Sequence, residues 1–339
     1  MSRFLALAGA LALLLPARAG ITPSQPQLDQ KNCELAAYYS RTHDGDALRI
    51  EQAGHLVYEN YAPGWNSGTA RKIYSGTKSY VAVTAMILVQ KGLLHLDEKA
   101  SDTLTEWKKD GRRAITIDEL LSQTSGLKPD DNLIYDSHDQ LAGAVRVPLA
   151  YTPGTRFHYC AANYQAFGEI LRRKFPHYRS VEDIFMKLLL DPADLDVDYW
   201  VRDDAGNVLI HSGMMMNVKE WARFGLYLLN DGQKPGFAPL FRGHTANPAY
   251  GLGFWLNAPQ PADRIQSIKD LQPACDGDQI YPGGPRDIIA AMGTDKQRLY
   301  VIPSQQLVIV RFAHGGRFSD SNFLSLLLTG KPHPDKHTH

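Results

Sequence analysis

A serine and a lysine three residues apart carry the strongest chemical signal in the sequence. The tetrapeptide Ser75-Gly76-Thr77-Lys78 begins an apolar stretch that is predicted to be helical over residues 75–92. Residues i and i+3 share one face of a helix, so the Lys78 amine can reach the Ser75 hydroxyl. A desolvated lysine can take the proton of such a serine and make it a nucleophile toward a carbonyl carbon. The alternative interpretation is an ordinary helix cap at Ser75, with Lys78 in solvent.

Other catalytic and cofactor-binding patterns are absent from the sequence. There is no G-x-S-x-G nucleophile elbow, no H-E-x-x-H and no P-loop spacing. Neither a C-x-x-C motif nor a Cys/His cluster of zinc-binding spacing is present. We therefore expect no metal ion and no organic cofactor.

Further motifs accompany the serine and the lysine in a defined order. They are residues 73–80 (IYSGTKSY), 92–97 (GLLHLD), 115–127 (ITIDELLSQTSGL), 153–159 (PGTRFHY), 222–225 (ARFG), 297–303 (QRLYVIP) and 307–311 (LVIVR). The set resembles the serine hydrolases related to class C β-lactamases. That group includes D-alanyl-D-alanine carboxypeptidases, β-lactamase-fold esterases and hydrolases of amide oligomers. The resemblance covers about residues 30–325.

The resemblance implies an acyl-enzyme mechanism. Ser75 would be the nucleophile and Lys78 the general base, and water would later hydrolyse the acyl ester. The tyrosine of the family's Y-x-N motif corresponds to Tyr159, which would act as a general acid or base.

The Y-x-N motif is incomplete in this sequence. Ala161 stands where the asparagine is expected. The nearest amide, Asn163, is either a substitute or part of a structural stretch beyond the motif. Because relatives that cleave lactams and peptides use the asparagine amide to hold substrate, its loss favours an esterase.

The third family motif, K-T-G or H-x-G, is also altered. The register of the following strand places it at residues 294–296, where Thr294 could still form a hydrogen bond to substrate. We expect the second oxyanion N–H to come from near Gln297, paired with that of Ser75. Residues 314–316 (HGG) match the motif better, but they follow the next strand, and we interpret them as a turn.

Taken together, the motifs predict an exported serine hydrolase that acts on a small ester or amide. The alternatives are a D-alanyl-D-alanine carboxypeptidase or a β-lactamase. A further alternative is a catalytically inactive binding module that keeps the fold. The presence of Ser75, Lys78 and Tyr159 argues against that module, because a pure binder needs none of the three.

The elements that must position these residues come from both ends of the chain. An alternating pattern predicts a strand at residues 47–52, which a turn at Ala53-Gly54 joins to a second strand at 55–61. Further strands are predicted at residues 286–292, 297–302 and 307–312. Helices are predicted at residues 28–39 and 323–328, and helical patterns dominate the middle of the chain. The fold class is therefore α/β (α+β), with one antiparallel sheet flanked by helices. The resemblance implies a β-lactamase/DD-peptidase-like sheet of five strands with an inserted all-helical domain.

We predict four segments along the chain. Residues 1–19 read as a secretory signal peptide cleaved before Gly20, since a basic start precedes a short apolar run and a small-x-small triplet. Residues 20–94 and 240–329 form the sheet domain, residues 95–239 the helical domain, and residues 330–339 a disordered tail. The mature protein is expected to be periplasmic or secreted.

Composition limits the possible partners. The chain has 339 residues, 44% of them hydrophobic, which is enough for one large domain or two. Lys+Arg and Asp+Glu each total 36, so charge gives no case for nucleic acid or an anionic membrane as partner. We expect a small-molecule ester or amide, or a peptide, as substrate, and no stable membrane anchor.

Three cysteines occur, which in an exported protein allow one disulfide and one free thiol. Cys33 with Cys275 is the preferred pair, because Cys160 falls within the tyrosine motif. Three buried thiols are the alternative.

Overall fold

The computed structural model describes residues 27–260 and 279–333 of the chain. The predicted signal peptide, Cys275 and residues 334–339 of the predicted tail lie outside these residues.

The described residues form helices and strands in a mixed order. The α-helices are α1 (Gln30–Thr42), α2 (Thr77–Gln90), α3 (Ala100–Thr103), α4 (Ile117–Leu121), α5 (Asn132–Tyr135), α6 (Gln140–Arg146), α7 (Ala161–Lys174), α8 (Val181–Phe185), α9 (Val218–Asn230) and α10 (Asp320–Thr329). The strands are β1 (Gly45–Gln52), β2 (His55–Tyr61), β3 (Arg71–Lys72), β4 (Tyr199–Trp200), β5 (Met214–Met216), β6 (Trp255–Leu256), β7 (Ile289–Gly293), β8 (Gln297–Ile302) and β9 (Leu307–Ala313). Shorter helical turns include Tyr74–Gly76 before α2 and Thr294–Lys296 between β7 and β8.

The main sheet is antiparallel and joins the two ends of the described chain. Its strand order is β2-β1-β9-β8-β7-β6. Strand β1 pairs with β9, so that Ile50 lies opposite Ile309. The predicted α+β class is confirmed, and the sheet has one strand more than the five expected. The additional strand is β6, a two-residue strand at the edge.

The two faces of the sheet carry separate hydrophobic clusters. Along β8, Leu299 and Val301 face one cluster, while Tyr300 and Ile302 face the other. This alternation is the period of two that a strand imposes on its side chains. Helix α9 packs on the first face, and α1 and α10 pack together on the second. Every residue of β8 and β9 is buried, as expected for central strands covered on both faces.

The middle of the chain is mainly helical and also contains two short strands. Strands β4 and β5 form a second sheet with β3, in the order β3-β5-β4. Because β3 ends just before the turn that holds Ser75, this small sheet connects the helical segment to the nucleophile. Helix α9 lies within residues 95–239, yet it packs against β8 and β9 of the main sheet.

Local signals in the sequence account for several element boundaries. Ala53 and Gly54 both have positive φ, 51° and 78°, as a tight two-residue hairpin turn requires. Thr116 and Glu119 form a reciprocal capping box at the start of α4. Helix α10 begins at the Ser319 cap and ends at Gly330, whose φ of 70° lies in the left-handed region.

The described residues contain neither a candidate membrane-spanning helix nor a candidate metal site. No helix there combines the length and the apolar character needed to cross a bilayer. No group of three or more His, Cys, Asp or Glu side chains there could hold a metal ion. Cys33 and Cys160 are buried thiols that are not joined to each other.

Candidate active site

Ser75 lies in a strained turn at the entrance to α2. The preceding residue, Tyr74, has a φ of 48°, a conformation that a non-glycine residue adopts at a cost in free energy. The Thr77 hydroxyl donates to the Tyr74 carbonyl at 2.7 Å and so holds the turn. A Cβ atom on Gly76 would lie 2.8 Å from the Trp221 ring, so a larger residue beside the nucleophile would displace that tryptophan. Ser75 keeps 8% of its surface exposed, at the wall of a cavity.

Lys78 has the geometry of a base for Ser75. Its Nζ donates to Ser75 Oγ at 3.1 Å and to the His211 carbonyl at 2.7 Å. The side chain is buried, and this burial lowers the pKa of Lys78 to about 7, although the charge of Asp131 acts in the opposite direction. A large fraction of the amine is therefore neutral near pH 7 and can accept a proton.

Tyr159 lies beside both Lys78 and Ser75. The Lys78 Nζ is 4.7 Å from the centre of the Tyr159 ring, and the phenol is within hydrogen-bonding reach of Ser75. Trp255 stacks on the same ring, with centroids 5.9 Å apart. Burial raises the pKa of Tyr159 well above its ordinary value. The phenol therefore keeps its proton at neutral pH and is suited to donate it.

These three side chains meet at a cavity of about 380 Å³. The residues that line it are Lys72, Tyr74, Ser75, Lys78, Asp131, Tyr135, Tyr159, Ala161, Leu209, His211, Ser212 and Thr294. Its volume is near the lower end of the range for small-molecule sites, so it suits a compact substrate.

A carboxylate adjoins the position where the asparagine of the Y-x-N motif is missing. Asp131 accepts a hydrogen bond from the Ala161 N–H at 2.7 Å, at the start of α7. Burial raises the pKa of Asp131, while this N–H and the charge of Lys78 counteract the rise. A carboxylate only accepts hydrogen bonds, whereas an amide also donates them. The departure at Ala161 therefore changes the chemistry of this wall as well as its shape.

Asn163 does not replace the missing amide. Its side chain is buried outside the cavity lining, where Nδ2 donates to Gln123 Oε1 at 2.5 Å and Oδ1 accepts from the Ser125 hydroxyl. The hypothesis that Asn163 binds substrate is thus corrected. The amide fixes the loop around residues 123–125 to the start of α7.

The third motif, which we placed at residues 294–296, lies in a turn that follows β7 and not in a strand. Strand β7 ends at Gly293, and residues 294–296 form a turn in which Asp295 and Lys296 have φ values of 57° and 61°. A Cβ on Gly293 would lie 2.1 Å from the Ile73 carbonyl oxygen, so glycine permits this strand to approach the nucleophile turn. Thr294 lines the same cavity as Ser75.

Gln297 is not available as an oxyanion donor. Its backbone N–H donates to the Thr294 carbonyl, and its side chain donates to the Ala313 carbonyl at 2.6 Å. The expected role of Gln297 is corrected, because the turn at residues 294–296 moves it back into the sheet. Residues 314–316 form a bend after β9, as predicted.

Several cavity residues were not predicted from the sequence, among them two charged side chains and a histidine. Lys72, Asp131 and His211 come from β3, from the loop before α5 and from the loop before β5. Asp131 lies in a loop rich in proline and aspartate, and no spacing in the sequence connects it with Lys78. The only local signal for Lys72 is its position three residues before Ser75.

The chain resembles known proteins in sequence and in fold. A family model described as Beta-lactamase matches residues 30–322. Protein flp of Staphylococcus aureus strain MW2 is 28% identical over 133 residues, which are 36% of this chain and 27% of that protein. The matched segment is therefore about a quarter of the length of that relative.

Two solved structures share the fold at low identity. A family VIII carboxylesterase has a TM-score of 0.62 at 18% identity, with 84% of this chain and 91% of that chain covered. A D-stereospecific amidohydrolase from Streptomyces sp. has a TM-score of 0.63 at 13% identity, with 89% of this chain and 98% of that chain covered.

Proposed function

Because the chain belongs to the Beta-lactamase family, we propose that it is a serine hydrolase that cleaves small esters or amides through a covalent acyl-enzyme. The observation that carries the proposal is the contact between the buried Lys78 amine and the Ser75 hydroxyl, 3.1 Å long. A neutral, desolvated amine at this distance can remove the serine proton as the bond to the substrate forms.

In the acylation step, Ser75 Oγ attacks the substrate carbonyl while its proton passes to Lys78. The carbonyl oxygen gains negative charge and needs N–H donors that are already in place. The backbone N–H groups of Ser75 and Thr294 are our candidates, since both residues line the cavity wall where strand β7 meets the turn before α2.

Collapse of the tetrahedral intermediate breaks the bond to the leaving group, which takes a proton as it departs. Tyr159 is placed to give that proton, because its phenol stays protonated and lies beside Ser75. The Lys78 ammonium then passes its proton to the Tyr159 phenolate, which restores both groups. Water attacks the acyl-enzyme while its proton passes to neutral Lys78, and the bond between the acyl group and Ser75 Oγ breaks as Lys78 returns that proton to the oxygen. Ser75 is regenerated with its hydroxyl proton.

Esters fit this site better than lactams or peptides. A peptide-like substrate presents an amide carbonyl that needs a donor, and Ala161 offers no side-chain amide. The neighbouring polar group is the acceptor Asp131, and the amide of Asn163 is already bonded within the fold. Carboxypeptidase and β-lactamase activity are therefore alternative outcomes of the test below.

The test is intact-mass spectrometry after incubation with a fluorophosphonate, p-nitrophenyl acetate or a penicillin. We expect a phosphonate adduct and turnover of the acetate, both lost in Ser75→Ala. The matched control is Ser212→Ala, which removes another hydroxyl from the same cavity wall and should keep the adduct.

The other outcomes separate the alternatives. A stable penicillin adduct would favour a carboxypeptidase, and hydrolysis of the penicillin would favour a β-lactamase. A folded protein that none of the three reagents modifies at Ser75 would overturn the enzyme proposal and favour a binding module.

We also propose export, with cleavage of the leader before Gly20. The support is the arrangement of residues 1–19 in the sequence. Protein recovered from the periplasm or the medium should have a mass that begins at Gly20. A secreted form that keeps residues 1–19 would contradict the cleavage site.

A further inference from the structure

Two polar side chains in the cavity wall have no role in the steps above. His211 and Lys72 line the cavity together with Ser75. Neither belongs to the motifs that identified the nucleophile, its base or the tyrosine.

His211 is buried without hydrogen bonds from its ring. The residue is 1% exposed, and within the described chain neither ring nitrogen has a partner. Buried polar groups nearly always have one, so the two ring nitrogens lack a partner that the described chain itself could supply. Burial, with the charges of Lys78 and Lys72, holds the pKa of His211 well below its ordinary value. The neutral ring carries one N–H donor and one acceptor.

Lys72 is a half-buried cation. Its Nζ lies 5.0 Å from the centre of the Tyr74 ring, which attracts the charge only weakly. Burial lowers the pKa of Lys72, and no carboxylate in the described part of the chain forms an ion pair with it. A partly desolvated ammonium group in this state gains free energy when an anion binds beside it.

Asp131, a carboxylate of the cavity wall, forms no ion pair with Lys72. It accepts the Ala161 N–H at 2.7 Å, and its charge acts on Lys78. The charges of Lys78 and Lys72 both act on His211. We call Lys72 and His211 the basic side of the cavity.

We infer that this basic side binds a carboxylate of the substrate, with the Lys72 ammonium and the His211 N–H as donors. The inference rests on the proposed hydrolase function and specifies its substrate class. The preferred substrate is a small ester or amide that carries a carboxylate near the scissile carbonyl. A cavity of about 380 Å³ admits such a molecule, for example a half-ester of a short dicarboxylic acid.

The experiment compares esters that differ only in that charge. On the acyl side, mono-p-nitrophenyl glutarate is compared with its methyl ester. On the leaving-group side, 4-acetoxybenzoate is compared with methyl 4-acetoxybenzoate. We expect kcat/KM in at least one pair to favour the carboxylate by about tenfold, which corresponds to about 1.4 kcal/mol.

Variants assign the preference to the basic side. Lys72→Met and His211→Leu should each reduce the preference severalfold, measured as the ratio of kcat/KM for the two esters of a pair. Lys72→Arg should retain it. The matched control is Lys219→Met, which removes the same charge from an exposed position on α9 and should leave the preference intact.

Titration calorimetry with glutarate measures carboxylate binding at the basic side without any turnover. Wild-type protein should bind glutarate, and Lys72→Met should bind it at least severalfold more weakly. Equal hydrolysis of both members of each pair, or a preference unchanged in Lys72→Met, would overturn the inference. If folded wild-type protein hydrolyses none of the four esters, the proposed function fails. The inference is then judged on glutarate binding alone, by comparing wild-type protein with Lys72→Met.

Discussion

At the scale of single residues, the proposed reaction depends on the protonation of one amine. Lys78 can take the Ser75 proton only when it is neutral, and burial lowers its pKa to about 7. We therefore predict that kcat/KM for a neutral ester rises with pH and levels off above an apparent pKa of about 7. A pH–rate profile from pH 5.5 to 9 measures this. A flat profile, or a limb that begins only near pH 10, would contradict the role of Lys78.

A second prediction concerns the carboxylate that acts on this amine. The negative charge of Asp131 raises the pKa of Lys78. Asp131→Asn removes that charge, so the limb of the pH profile should move to lower pH. Asp130→Asn is the matched control, because Asp130 forms an exposed ion pair with Lys128 at 3.0 Å. An unmoved limb in Asp131→Asn would show that the two groups are not coupled.

Tyr159 gives a third prediction at this scale. If its phenol protonates the leaving group, Tyr159→Phe should lower kcat/KM by about 10²- to 10⁴-fold for alkyl esters. The loss should be smaller for p-nitrophenyl esters, because p-nitrophenolate leaves without help. Kinetics on an alkyl acetate and p-nitrophenyl acetate separate the two cases. Equal losses for both esters would point to a role for Tyr159 before the leaving group departs.

At the scale of elements, the site depends on how closely strand β7 approaches the turn before α2. Gly293→Ala would place a Cβ 2.1 Å from the Ile73 carbonyl oxygen. We predict that it lowers the free energy of unfolding by about 1–3 kcal/mol and reduces activity, since the backbone must move apart. Denaturant unfolding and ester kinetics measure the two effects. Gly68→Ala, in an exposed loop, is the control, and an equally small effect of both would contradict the close approach.

The sequence predicted four strands of the main sheet closely, because short runs of strand-forming residues lie between turn residues such as Ala53-Gly54. The prediction for β8 matches residue for residue, and those for β1, β2 and β9 differ by at most two residues at an end. The turn at residues 294–296, where we placed the third motif, was not predicted. Asp295 and Lys296 adopt left-handed backbone conformations that glycine normally supplies, so nothing in their side-chain types marked a tight turn.

Part of the candidate site could not be predicted from the sequence. Ser75 and Lys78 were found because their spacing is local and a helix fixes their geometry. Asp131, His211 and Lys72 reach the cavity through loops and a two-residue strand. Such contacts arise from long-range packing, for which a single sequence carries no periodic signal.

At the scale of the whole molecule, a buried ionic cluster joins helix α10 to the main sheet. Arg298 on β8 donates to Asp320 at 2.6 Å, and the Tyr300 hydroxyl donates to the same carboxylate. Burial alone would raise the pKa of Asp320, but the charge of Arg298 and these hydrogen bonds hold it below its ordinary value. The carboxylate therefore stabilises the fold above its unfolded pKa and loses that contribution as pH falls through the lower folded pKa.

Removing one partner leaves the other charged and buried. We predict that Asp320→Asn lowers the free energy of unfolding at pH 7 by about 3–5 kcal/mol. Denaturant unfolding at pH 7 measures the change. Asp102→Asn, at an exposed position of α3, serves as the control. A loss below about 1 kcal/mol would show that the cluster contributes little to stability.

The pairing of β1 with β9 has a consequence for how the protein is made. Ser75 leaves the ribosome before β7, β8 and β9, since β7 begins only at Ile289. Until they emerge, β1 lacks its neighbour, and Thr294 cannot meet Ser75. A nascent or truncated chain therefore carries the reactive serine without a finished cavity around it. We therefore expect activity during synthesis only after β9 has paired with β1 and β7 has reached the turn before α2.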